Sequence, residues 1–151
     1  MKALILIGSE SDRAVMEESG KYLDYFGIEN ELVVASAHRT PDKVRELAAS
    51  AADQGFGIII TAAGMAAALP GVVAAYTSLP VLGVPLDGGL PGGIDALYSI
   101  VQMPAGIPVG TLAVGKAGAR NAAILTARIF SLSDEKVAAR LADFKANAYR
   151  L

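Results

Sequence analysis

Five short apolar runs, spaced too far apart for hairpins, restrict the fold of this chain more than any other feature. They occupy residues 4–7, 32–35, 58–62, 81–84 and 110–114. Most are continuous rather than alternating, as expected of strands in a parallel sheet covered on both faces. Between them lie stretches of helical pattern at about 12–26, 41–54, 70–78, 93–103 and 117–130, and a last one at 134–149 closes the chain. Gly27 and Gly55 follow the first two as helix stop signals. The order β-α-β-α-β-α-β-α-β-α-α predicts an α/β fold, a three-layer doubly wound parallel sheet with right-handed crossovers. No linker, repeat or low-complexity segment interrupts it, so residues 1–151 read as a single domain with a C-terminal helix.

A chain of 151 residues and 15.5 kDa can enclose one core. Thirteen Lys and Arg against fifteen Asp and Glu leave a formal charge of −2. That balance lacks the basic stripe of a nucleic-acid binder, yet it permits a small anion, which needs only one or two well-placed cations. Apolar residues reach 53% and charged ones only 19%, below the roughly 25% charged of an average soluble domain, which excludes disorder. Alanine fills 28 positions and aromatics only 6%. Small side chains pack closely but bury little area each, so further burial between subunits is expected. There is no Cys and one His. Disulfides, thiolate catalysis, Fe–S clusters, Cys-zinc sites and a multi-His metal centre within one subunit are thereby excluded.

The apolar start of the chain is too short for a leader, and Glu10, Asp12 and Arg13 follow at once. No charge occurs between Asp53 and Asp87, but glycines and prolines break this span repeatedly, and a membrane helix needs about 20 continuous apolar residues. A buried strand–helix–strand unit and a cytoplasmic location are expected. The 70–78 stretch carries no charge and the 93–103 stretch only Asp95. Helices without a polar face seek cover on both sides, which points to a homo-oligomer with both at its interface.

In an open α/β sheet, ligands bind beyond the carboxyl ends of the strands. Three segments fall there. In Gly8-Ser9-Glu10-Ser11-Asp12, two hydroxyls stand beside the free N–H groups of a helix start, which suits phosphate, and Asp12 can accept from ribose hydroxyls. Ser9 and Asp12 also stand at capping-box spacing, so plain capping is the competing explanation. In Ser36-Ala37-His38-Arg39-Thr40-Pro41-Asp42, helix initiation accounts for Thr40 as N-cap, Pro41 and Asp42. It does not account for His38 and Arg39. Arg39 can grip a phosphate with two parallel bonds, and imidazole is the side chain that ordinarily titrates near neutrality. An isolated His is more often a surface or core residue, so both readings stay open. In Ala62-Ala63-Gly64-Met65-Ala66-Ala67-Ala68-Leu69-Pro70-Gly71, backbone N–H groups can approach a ligand unobstructed, although close helix–sheet packing explains the composition equally well. The Gly-rich stretch 87–93 reads as a mobile turn or lid. Lys116 and Arg120 read as solvated or interfacial.

Taken together, Gly8-Ser-Glu-Ser-Asp12, Ser36-Ala-His-Arg-Thr-Pro-Asp42, Ser99-Ile-Val-Gln-Met-Pro104 and Gly106-Ile-Pro-Val-Gly-Thr-Leu-Ala-Val-Gly-Lys-Ala-Gly118 closely resemble the PurE family of purine (IMP) biosynthesis. The resemblance runs over nearly the whole chain. It implies a flavodoxin-like doubly wound sheet assembled as a homo-octamer in the cytoplasm, with no cofactor and no metal, acting on a small ribonucleotide and CO2. The implied reaction is isomerisation of N5-carboxyaminoimidazole ribonucleotide to the C4-carboxylate. The family's second form is a lyase that carboxylates aminoimidazole ribonucleotide directly with CO2. By motif, Ser9, Asp12 and Arg39 would hold the ribose phosphate with support from Ser11 and Ser36. His38 would move the proton. Ala63, Gly64 and Leu69 would line the carboxylate and CO2 pocket.

One stretch departs from the pattern. The mutases read GAGGAAHLPG where this chain has residues 62–71, so Ala68 stands at the second His and Met65 at a Gly. The direct carboxylases also lack that His, so this loop leaves both reactions open, while the rest of the chain favours the mutases. A different class, a ligand-sensing domain of flavodoxin-like or receiver-like fold, would show an acidic cluster or stacking aromatics at the strand ends. These ends carry Ser, His and Arg instead.

Overall fold

The computed structural model describes all 151 residues. Five parallel strands, β1 (Lys2–Ile7), β2 (Glu29–Val34), β3 (Phe56–Gly64), β4 (Val81–Leu86) and β5 (Gly110–Thr111), form one sheet in the order β2-β1-β3-β4-β5. The helices are α1 (Arg13–Phe26), α2 (Pro41–Ser50), α3 (Leu69–Tyr76), α4 (Ile94–Val101), α5 (Lys116–Phe130) and α6 (Glu135–Ala146). Single 3₁₀ turns at Glu10–Asp12 and Pro91–Gly93 lead into α1 and α4. This is the three-layer doubly wound fold that the spacing of apolar runs predicts.

The central strands β1, β3 and β4 are almost wholly apolar because each face of the sheet has its own core, whereas the edge strand β2 opens with Glu29, Asn30 and Glu31 and has no fully buried residue. Ala3, Ile5 and Ile7 of β1, with Ile58, Ile60 and Ala62 of β3 and Leu82, Val84 and Leu86 of β4, point to one side. They pack there on α1, α5 and α6 through Met16, Leu23, Ala122, Ala123 and Phe144. Leu4, Leu6, Ile59 and Ala63 point the other way, onto Val44 of α2, Leu69 and Val73 of α3 and Ile100 of α4. Each fully buried Leu or Ile contributes about 1.5–3 kcal/mol. The alanines of α5 let α1 approach so closely that the buried Ser19 hydroxyl donates to the Ala119 carbonyl at 2.6 Å.

The observed elements differ from expectation at their ends. Gly27 does stop α1, with φ +73° and its N–H donating to Asp24 and Leu23 carbonyls. Helix α2 stops at Ser50 rather than near 54, and the chain turns back through Gly55 at φ +82°. Helix α6 ends at Ala146. Strand β5 is two residues long, not the five expected at 110–114. The cause lies in its neighbour. Leu112 and Gly115 donate to the carbonyls of Gly83 and Pro85, so both of those β4 residues face β5. Pro85 has no N–H to return, and the ladder ends there.

Helices α3 and α4 are only partly covered. Val73, Ala96 and Ile100 are fully buried in the chain's own core, whereas Tyr76 and Tyr98 are 46% and 63% exposed. The expectation that α3 and α4 lie between subunits therefore concerns only their outer faces.

Candidate active site

The strand order places the point where chain direction reverses between β1 and β3, and ligand crevices of such sheets open there. A pocket of about 510 Å³ occupies this position. Its walls are the loops after β1, β2 and β3, closed at one point by Gly88 after β4.

The β1 loop is built by reciprocal capping. Ser9 is extended at φ −150°, and its hydroxyl oxygen accepts from the Ser11 N–H at 3.4 Å and from the Ser11 hydroxyl at 3.0 Å. In return the Ser9 N–H donates to Asp12 Oδ2 at 3.1 Å. Capping thus orients the same groups that binding needs, and Asp12 Oδ1 retains only a 3.3 Å bond from the Ser11 hydroxyl. Burial raises the Asp12 pKa, opposed by the bonds from Ser11 and Ser9 and by the charge of Arg39.

The β2 loop is a tight turn held by Ser36 and Thr40. The Thr40 N–H donates to the Ser36 carbonyl at 2.9 Å, and the Ser36 N–H donates to Thr40 Oγ1 at 2.9 Å. Thr40 was expected to cap α2 with its side chain. That side chain instead closes the loop, also donating to the Ser36 carbonyl at 3.2 Å. The turn throws His38 and Arg39 outward, both exposed. Arg39 reaches across to the β1 loop, where its terminal nitrogen donates to the Gly8 carbonyl at 2.9 Å, while its Nε donates to Ser36 Oγ at 3.4 Å. These bonds station the only cation lining the pocket between its two polar loops and leave further guanidinium N–H groups for a ligand.

The β3 loop supplies the opposite wall with Ala63, Gly64, Met65 and the run to Leu69. Gly64 sits in tight quarters. A Cβ there would sit 3.3 Å from the Leu86 carbonyl oxygen. Met65 takes φ +55°. The pocket is therefore divided: hydroxyls, a carboxylate, an imidazole and a guanidinium on one side, small apolar groups and bare backbone on the other. That division suits a ligand with a charged sugar-phosphate end and a small reacting end.

All nine residues singled out in the sequence, Ser9, Ser11, Asp12, Ser36, His38, Arg39, Ala63, Gly64 and Leu69, line this one pocket. Sequence reasoning overlooked Thr40 as the brace of the β2 loop and Gly88 as a lining residue. The spacing of Thr40 from Ser36 and the position of Gly88 just past β4 were the available signals. Arg120, expected to be solvated or interfacial, pairs with Glu18 of α1 at 2.8 Å. No cluster of three or more His, Asp or Glu side chains is placed to hold a metal ion, and no helix is long and apolar enough to cross a membrane.

Residues 2–150 match the family model described as AIR carboxylase. The N5-carboxyaminoimidazole ribonucleotide mutase of Vibrio vulnificus is 52% identical over 145 residues, 96% of this chain and 90% of that protein. The enzyme of the same name from Escherichia coli K12 is 49% identical over 144 residues, 95% and 85% of the two lengths. Among solved structures, Treponema denticola PurE superposes with a TM-score of 0.84 at 32% identity, covering 97% of this chain and 90% of that one. With its doubly wound fold and a divided pocket at the β1/β3 reversal, this chain belongs to the AIR carboxylase (PurE) family.

Proposed function

We propose that this chain is an N5-carboxyaminoimidazole ribonucleotide mutase, an isomerase of purine biosynthesis that moves a carboxyl group from N5 to ring carbon C4. The observation that carries the reading is its near-50% identity, over almost its whole length, to proteins of that activity. The divided pocket agrees with it.

Arg39 binds the phosphate, with Ser9 and Ser11 as hydroxyl partners, and Asp12 accepts from the ribose. Ser36 holds Arg39 in place. Ala63, Gly64 and Leu69 receive the carboxyl end. In the first half of the reaction the N5–carboxyl bond breaks, its electron pair returns to N5, and N5 takes a proton. In the second half C4 attacks the freed CO2, a carbon–carbon bond forms, and the C4 proton leaves. The proton gained at N5 and the proton lost at C4 cancel, so a single shuttle suffices. His38 is the pocket's imidazole and carries it. A small pocket that excludes water retains CO2 and strengthens the electrostatics. The substrate brings its own carboxyl group, so no cofactor is called for. A cytoplasmic site of action and a homo-octameric assembly belong to the same reading, and the exposed apolar faces of α3 and α4 support the assembly.

Turnover by purified protein tests this. Conversion of the N5-carboxylated ribonucleotide, with little or none of aminoimidazole ribonucleotide plus bicarbonate, is expected. Preference for the second pair would instead assign the direct carboxylase reaction, and turnover of neither would remove the enzymatic reading.

A further inference from the structure

Met65 is the only non-glycine residue outside the C-terminal tail with a left-handed backbone, at φ +55°. A side chain makes that conformation costly, and it persists only where its surroundings or its function demand it. Core packing does not explain it, because Met65 is 62% exposed. The side chain nevertheless has a definite position. It leans from the β3 loop onto the turn after β4, where Cγ lies 3.3 Å from the point a Cβ on Gly89 would occupy. That turn is anchored. The Leu90 N–H donates to Asp95 Oδ2 at 3.1 Å, and a Cβ on Gly89 would lie 2.1 Å from the same oxygen. The Met65 side chain therefore runs from the β3 loop toward the turn after β4, at the Gly64–Ala68 end of the pocket that it lines. It offers a carboxylate no strong hydrogen bond. It can exclude water and bar the exit of a small neutral molecule.

We propose that Met65 is the cover of the carboxyl end of the pocket, spanning from the β3 loop to Gly89 so that CO2 freed from N5 is captured by C4 before it escapes. This rests on the decarboxylation–recarboxylation route proposed above. The step is unchanged in its balance; the cover decides only whether the CO2 that leaves N5 is the CO2 that C4 receives.

The experiment supplies unlabelled N5-carboxylated substrate in isotopically labelled bicarbonate, with carbonic anhydrase equilibrating the bulk CO2. It reads label in the C4-carboxylate and free aminoimidazole ribonucleotide released per turnover, after subtracting the enzyme-free rate. Met65→Gly and Met65→Ala are expected to raise both quantities several-fold over wild type, and Met65→Leu, which restores apolar bulk, to stay near wild type. Thermal melting of each variant keeps unfolding apart from leakage; Met65→Gly, freed of the strained φ, is expected to melt no lower than wild type. Equal, measurable label in wild type and in the Gly and Ala variants overturns the cover while leaving the route intact. Full turnover with no label and no free aminoimidazole ribonucleotide in any of them also overturns the cover, because the carboxyl group is then retained without the Met65 side chain.

Discussion

Arg39 and His38 are adjacent in sequence but have separable duties, and kinetics can tell them apart. Arg39 lines the pocket, held by the Gly8 carbonyl and Ser36 Oγ, with further N–H groups left to donate. Arg39→Ala is expected to raise KM strongly, and Arg39→Lys not to restore it, because an ammonium lacks the two-pronged geometry. An unchanged KM in both variants would refute the phosphate assignment. His38→Asn leaves Ser9, Asp12 and Arg39 in place, so KM should stay near wild type while kcat falls by about 10²–10⁴, the usual range for one general acid–base group. Near-normal kcat in a well-folded variant would mean that water or another group carries the proton. Asp12 adds a pH dependence. Its pKa is raised, by burial first of all, so between the ordinary carboxylate value and the raised one the folded chain binds more protons than the unfolded chain. Its contribution to stability is therefore greatest below that window and is lost as pH rises through it. Asp12→Asn should flatten this loss in urea melts taken across acidic pH. An unaltered slope would show that the carboxylate is not the group responsible.

At the scale of elements, the close packing of α4 on β4 makes a sharp contrast between two glycines. A Cβ on Gly83 would lie 2.5 Å from Ile100 Cγ2 and 2.9 Å from Val109 Cγ1, while a Cβ on Gly88 meets nothing within 4 Å. Gly83→Ala forces α4 and the segment before β5 outward and should cost about 1–3 kcal/mol by overpacking. Gly88→Ala should stay within about 0.5 kcal/mol of wild type. Equal unfolding midpoints in denaturant would contradict the contrast. The same elements show what the sequence could reveal. The strands β1, β3 and β4 were legible because burial on both faces leaves no room for polar residues, and α1 because Gly27 marks its end. Strand β5 was overestimated because its ladder depends on Pro85, a residue of its neighbour, and no local pattern in 110–114 records a missing donor 25 or more residues away. The candidate site was legible where chemistry outruns local need, as at His38 and Arg39, which helix initiation leaves unexplained. It was obscure at Thr40, whose residue type suits an N-cap and a loop brace alike. Met65 was visible as a departure from a family pattern, but its backbone conformation and its lean onto Gly89 are three-dimensional facts.

For the whole molecule, the question is what covers the outer faces of α3 and α4. Their inner faces are already spent, since Val73 and Ile100 are fully buried within the chain. A charge at Val73 would unfold the protomer and report nothing about assembly. The outer faces carry Tyr76, Ile94, Tyr98 and Val101, between 37% and 63% exposed. Such large side chains grouped on two helices whose one charged residue, Asp95, is engaged by the Leu90 N–H are the usual mark of a subunit contact rather than a solvated surface. Size-exclusion chromatography with light scattering should find eight copies of the 15.5 kDa chain in one particle. Tyr98→Glu, or Ala75→Glu on the exposed side of α3, should shift that mass to smaller species. The carboxylate would be driven into an apolar contact with no partner, while the protomer, whose core it does not touch, keeps its circular dichroism. The inner-face variant Val73→Glu serves as the contrast, losing secondary structure and mass together. A wild-type particle of single-chain mass at micromolar concentration would end the proposal of assembly, and an octamer that tolerates both outer-face charges would move the contact to another surface of the molecule.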